Sequence, residues 1–377
     1  MIARPFYNIF DAVQAPARGL SAKQILLMTF ALVAGLLVFD IFRYLAYLEQ
    51  GENLGLVFDL YGFFPFDSPP HGRVLAQILY GVGIAGGVFC IMGGLLAVSI
   101  IHVEAIRGNA FLTGRNALRF TRSRLRQLIA SESAIVIFVG FIVLLFALWG
   151  LIARIPVIGD LLFSIFFVIP GFVIALFGVF MLFVLALSVI LLPAVAATER
   201  AGESFGVILE TFSTIIRQPS RWIGYTAVAA VLSKVASFVY AYFAYRAIQF
   251  IVAASSLGGG EKIDRLVGSG AALLPLDSKL VHHVCNILPG IRWSFDVRSL
   301  ANSADGGIAT HLLSLMLFLI FASVVAYFLT SLAAAQVYTY VGMRKLRDGH
   351  DLSSEKPLFL QDKHSEKSAD SETLVNE

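Results

Sequence analysis

Charged residues are scarce in this chain: Asp, Glu, Lys and Arg make up 14% of its 377 residues. A soluble globular domain carries about 25%, so that class is excluded. Cysteine is scarcer still, with only two. Cys90 lies inside an apolar run and Cys285 in a polar loop, so no disulfide is predicted between them. A glycine-rich phosphate loop ending in Lys-Ser/Thr is absent, and so is an HExxH zinc helix. No reaction of those types, no cofactor and no nucleic-acid partner is expected.

What is present is apolar. Hydrophobic residues make up 58% of the chain and the mean hydropathy is +0.81. Crossing a bilayer takes about 20 apolar residues. Six stretches qualify, at about 24–48, 74–101, 133–153, 161–192, 223–252 and 311–340. The predicted fold is an all-α polytopic integral membrane protein: six transmembrane helices with cytoplasmic interfacial amphipathic helices. Residues 1–348 form the membrane domain, with 253–310 as its long outer loop. Residues 349–377 are polar, lack apolar periodicity and read as a disordered cytoplasmic tail. The first run exits through Arg43-Tyr44-Leu45 without a small-residue cleavage site, so it reads as a retained span. The fourth contains Pro170-Gly171, and a single kinked helix is favoured there over an interfacial helix followed by a span.

Lys and Arg set the orientation. With the N-terminus inside, 18 of the 28 basic residues fall in inner segments, seven in outer ones and three within spans. This places both termini in the cytoplasm of a multi-pass protein of the cell (inner) membrane. Aromatic residues between Phe58 and Phe66 fit an outer bilayer interface.

Two inner stretches are helix-patterned. In 193–222, Phe205, Leu209, Phe212, Ile215 and Ile216 recur at helical spacing, opposite Glu203, Glu210, Ser213 and Arg217. Pro219 ends that helix, and Arg221-Trp222 are expected to anchor the next span at the interface. In 102–132, Arg115, Arg119, Arg122 and Arg126 form a stripe beside the apolar stripe of Phe111, Leu118, Leu125 and Ile129. Arginines placed so can lay their stems on the apolar face and send their heads to lipid phosphates. Membrane lipids, anionic ones in particular, are therefore the expected partners, with other membrane proteins possible besides. The plainer reading of the stripe is the positive-inside rule alone. Both stretches open alike, Glu104 and Arg107-Gly108 before Phe111, then Glu199-Arg200 and Gly202 before Phe205. This degenerate repeat relates spans 2–3 to 4–5 in the same orientation, unlike an inverted transporter repeat.

The pattern from Pro193 through Glu199 to Arg217, Arg221 and Trp222 resembles a broad group of uncharacterised bacterial polytopic membrane proteins. That group is similar in style to the membrane domain of some glycerophosphodiester phosphodiesterases. The closing stretch from Ala333 through Tyr338 and Arg344 to Gly349 is similar to how such chains end. The resemblance implies a type of fold, not an activity.

Charges inside spans are functional candidates by default. Counting about 1.5 Å per residue from Trp222, Lys234 lies roughly 18 Å into a core of about 30 Å. It is expected either to centre a substrate or proton site, or to pair structurally, with Asp40 the proposed partner. Glu104 and Glu199, where spans 2 and 4 leave the membrane, are expected to cap the inner helices or to bind a cation or head group. His282-His283-x-Cys285 lacks an evident fourth ligand, so no metal is expected. Gly86-Gly87 and Gly93-Gly94 suit close helix packing. The function these features point to is a non-catalytic membrane or lipid-organising factor. A small-solute transporter or channel is the alternative, and a lipid-modifying membrane enzyme comes third.

Overall fold

The computed structural model describes residues 5–61, 73–156, 158–199, 204–274, 285–286, 307–349, 351–355 and 357. Twelve α-helices and no strand occur among them. They are α1 (Ile9–Val13), α2 (Ala15–Gly19), α3 (Ala22–Gln50), α4 (Leu54–Tyr61), α5 (Val74–Ile106) and α6 (Gly114–Ile152), then α7 (Ile158–Phe166), α8 (Phe172–Thr198), α9 (Ser204–Arg217), α10 (Pro219–Gly259), α11 (Glu261–Ala272) and α12 (Ile308–Asp348). Six of these, α3, α5, α6, α8, α10 and α12, are long and apolar enough to cross a membrane. The chain is an all-α, multi-pass membrane protein.

The helices overrun the expected spans. At about 1.5 Å per residue, the 39 residues of α6 reach roughly 58 Å, nearly twice the hydrocarbon core. Residues 114–132 are therefore not a separate interfacial helix; they are the first half of α6. No proline lies between Gly114 and Ile152 to stop the winding, and the Thr113 side chain starts it by accepting from the Asn116 N–H. The closing stretch before Asp348 is likewise continuous with the last span. Around Pro170 the chain keeps winding through a π-turn, Phe167–Gly171, so α7 leads into α8 without a break. A wider turn accommodates the missing proline N–H.

Two glycines take left-handed backbone where the course changes. Gly108, φ +94°, closes α5, and the Asn109 N–H reaches back to the Glu104 carbonyl at 2.8 Å. Gly260, φ +55°, separates α10 from α11. The Ser255–Gly259 segment expected to open the outer loop is thus the last turn of α10.

The chain divides into two compact units. The first comprises Ile9–Val98 and Tyr225–Ala335. Its core joins Ile25, Met28 and Leu32 of α3 to Leu95 and Val98 of α5 and to Ala326, Tyr327 and Ala333 of α12. Close approach of α3 and α5 depends on glycine. A Cβ on Gly35 would lie 2.8 Å from the Gly87 carbonyl oxygen, and one on Gly87 would lie 3.1 Å from that of Gly35. The short α1–α2 hook is tied down by hydrogen bonds from Tyr327 to the Pro16 carbonyl and from Thr330 to the Gly19 carbonyl, each 3.1 Å.

The second unit comprises Met1–Asn8, Ser99–Gly224 and Gln336–Glu377. Here α6, α8 and α9 pack on one another, using Ala117, Phe120, Leu128 and Ile135 of α6, Leu191 to Ala197 of α8 and Val207 and Ile215 of α9. The start of the tail belongs to this unit and is not disordered. Leu352 is buried in a 3-10 turn, Leu352–Ser354, and Glu355 forms an ion pair with buried Arg107. Most of the remaining tail, from 358, lies outside the described residues.

Candidate functional site

Within the second unit, α9 does not bury its expected apolar stripe as a whole. Val207, Thr211 and Thr214 are buried against the protein, while Phe205, Leu209 and Ile216 are 71%, 52% and 56% exposed. Two residues of the polar side, Glu210 and Ser213, are held inward, while Arg217 stays exposed. Arg347 of α12 donates to Glu210 Oε2 at 2.7 Å and to Ser213 Oγ at 2.8 Å. Of the expected apolar stripe, only Ile215 is buried.

The first half of α6 shows the same pattern. Arg115, Arg119, Arg122 and Arg126 are all exposed, and so are Phe111, Leu118 and Ile129 beside them. Charge and apolar surface share one outward side. The inward side carries Ala117, Phe120, Thr121, Arg124, Gln127, Leu128, Ser131 and Glu132. Arg124 falls between the arginines of the stripe in sequence yet points the other way, because a helix turns about 100° per residue. Its Nη1 donates to the carbonyl oxygens of Ala196 and Glu199, closing the C-terminus of α8. Ser131 donates to the Ser204 carbonyl at 3.0 Å, fixing the start of α9.

The two membrane-exit carboxylates do not cap helices. Glu199 follows the last residue of α8, and its side chain accepts from Tyr340 at 2.8 Å and pairs with Arg344. Glu104 lies fully buried within α5 and accepts from Asn109 Nδ2 at 2.9 Å. Both groups are taken by side-chain donors, and that of Glu199 includes a charged guanidinium. A small pocket between α9 and α12 is lined by Ser213, Thr214, Gln218, Tyr340, Met343, Arg344 and Arg347. Its two arginines are already matched by Glu199 and Glu210. Trp222 is not an interface anchor: it is buried, and its indole N–H donates to Gln336 at 3.0 Å.

Asp351 ties both ends of the chain into this unit. It accepts from Tyr7 at 2.8 Å, from Lys345 at 2.7 Å and from the side chain and backbone of Ser353. Burial pushes its carboxyl up. The hydrogen bonds from Lys345, Ser353 and Tyr7 outweigh burial and hold it well below the usual aspartate range.

In the first unit the expected Asp40–Lys234 pair does not form; among the described residues no ion pair joins them. Lys234 is fully buried, and its Nζ donates to the Cys285 carbonyl at 3.1 Å. Asp40 is buried one turn from Arg43. Arg43 is enclosed, with its guanidinium 5.5, 5.9 and 5.7 Å from the ring centres of Phe39, Tyr47 and Tyr80. The signal was available: Phe39, Arg43 and Tyr47 fall at i, i+4 and i+8, on one helix face.

His282 and His283 lie outside the described residues, and no group of three metal-ligating side chains occurs among the described ones. Gly202-Glu203-Ser204-Phe205-Gly206 has the G-x-S-x-G spacing of a hydrolase nucleophile turn. That turn joins a strand to a helix, whereas here the preceding element is the helix α8 and Ser204 is the first residue of α9.

Fold and surface together define an all-α multi-pass membrane protein with outward-facing basic and apolar helix sides. Compared with known proteins, the chain matches no family model, no curated protein and no solved structure.

Proposed function

We propose that this is a non-catalytic protein of a bacterial inner membrane, with both termini cytoplasmic, that organises anionic lipid or the assembly of other membrane proteins. The observation that carries this reading is the outward-facing Phe205, Leu209 and Ile216 of α9 together with the exposed arginines of α6. Apolar side chains of a polar connecting stretch face away from the protein, and the four guanidinium groups of the α6 stripe are unburied. Such a surface suits the boundary between head groups and acyl chains. The excess of Lys and Arg in the same segments supports the cytoplasmic side. The Pro193-to-Trp222 pattern is taken as the mark of the bacterial membrane-protein group it resembles, and no phosphodiesterase activity is carried over.

Each basic residue near an anionic surface contributes about 1 kcal/mol, roughly fivefold in affinity. The test is native mass spectrometry of co-purified lipid, comparing the wild type with a variant in which Arg115, Arg119, Arg122 and Arg126 are all replaced by Gln. Anionic lipid retention is expected to fall steeply while zwitterionic lipid is kept. Unchanged anionic retention overturns the proposal.

A further inference from the structure

Glu132 is the last charged residue of α6 before the charge-free run 133–152. It is 3% exposed. Both its carboxyl oxygens converge on a single hydroxyl, Ser188 Oγ of α8, 3.0 Å from Oε1 and 2.8 Å from Oε2. The same Oγ lies 2.7 Å from the Leu185 carbonyl oxygen, one turn back in its own helix.

A serine hydroxyl has one proton to give. Three acceptor oxygens around it cannot all be served by that proton. A helical serine commonly gives its proton to the carbonyl one turn back. If Ser188 does so, the contact with Glu132 requires a proton on the carboxyl. In the other arrangement Ser188 serves an ionised Glu132, and a carboxylate is then buried without a cation. Among the described residues no cation pairs with it. Among the elements packed on α6, α8 has no charged side chain, α7 has Asp160, and α9 has Glu210, taken by Arg347, and exposed Arg217. Arg124 is two turns away along α6, about 12 Å, and is committed to the end of α8. No ion pair involves Glu132 among the described residues. A buried acid without a counter-charge takes up a proton rather than stay ionised.

We propose that Glu132 is a proton-binding site: at neutral pH it is a neutral carboxylic acid whose O–H donates to Ser188 Oγ, and Ser188 in turn donates to the Leu185 carbonyl. The proton count then closes, with two donors serving two acceptors. Ser131, bonded to the first residue of α9, holds this part of α6 in place. The site does not depend on the lipid-organising role of the outward side.

The test is infrared spectroscopy of the full-length protein in lipid vesicles at pH 7, comparing the wild type with E132Q. The expected difference is the loss of one protonated-carboxyl C=O band with the carboxylate bands intact. Loss of a carboxylate band instead overturns the proposal. S188A keeps the acid and removes its acceptor, so it gives an independent reading should E132Q fail to fold. The C=O band is then expected to persist and move to higher frequency; its replacement by a carboxylate band, or an unmoved band, overturns the arrangement.

Discussion

Arg347 of α12 reaches Glu210 of α9 in an ion pair of 2.7 Å that holds this side of α9 inward. Ser213 adds a second bond to the same guanidinium. With Glu210 and Ser213 drawn inward, Phe205, Leu209 and Ile216 are left outside. The groups are mostly shielded, with side-chain exposures of 13% and 26%. Hydrogen bonds to charged groups in such settings contribute roughly 1.5–3 kcal/mol. R347A is therefore expected to loosen α9 specifically. Amide hydrogen exchange across 204–217 should accelerate by about one to two orders of magnitude, while exchange in α3 stays as it was. An unchanged α9 would show that buried Val207, Thr211 and Thr214 suffice to seat it.

The approach of α3 to α5 makes a different prediction. A Cβ on Gly35 would sit 2.8 Å from the backbone oxygen of Gly87, which has no flexible end to move aside. Overpacking of this kind costs about 1–3 kcal/mol. G35A should lower the thermal midpoint in detergent by several degrees. Gly81, in the same helix as Gly87, has nothing within 4 Å of its Cβ position, so G81A should leave the midpoint nearly unchanged. Equal effects of the two substitutions would point to helix propensity rather than to this contact.

Docking of the tail should depend on pH in one direction. Asp351 has its pKa held below the unfolded value, which is about 3.9. A group depressed in the folded state contributes stability that is fully present above the unfolded pKa and is lost as pH falls through the folded one. Hydrogen exchange at 351–355 should therefore stay protected from pH 7 down to about pH 4 and open progressively below that. D351N should be less protected throughout and should lack that acid-dependent step. An opening that instead follows alkaline titration would assign the clasp to Lys345 or Tyr7.

Some of this architecture was legible because it depends on neighbours in the chain. Spans announce themselves by the length of an apolar run, and an arginine stripe by its spacing, so Arg115, Arg119, Arg122 and Arg126 lie on one exposed side as the 3.6-residue turn requires. Helix limits were less legible. Nothing between Gly114 and Ile152 breaks the winding, so charge stops at residue 132 but the helix does not. Arg124 could not be told from the arginines around it by residue type; its phase on the helix sets it apart.

By itself, the sequence determined that this is a multi-pass helical membrane protein, because burying that much apolar surface in water-free surroundings requires every backbone group to be satisfied within helices. Only the tertiary structure decided the partners. Glu199 meets Tyr340 and Arg344, more than 140 residues away, instead of capping a helix, and Lys234 meets a backbone carbonyl instead of Asp40. It also decided which side of α9 turns inward. A pattern of apolar and polar residues defines two faces, but which one is buried depends on what stands opposite, and here that is a guanidinium from the far end of the chain.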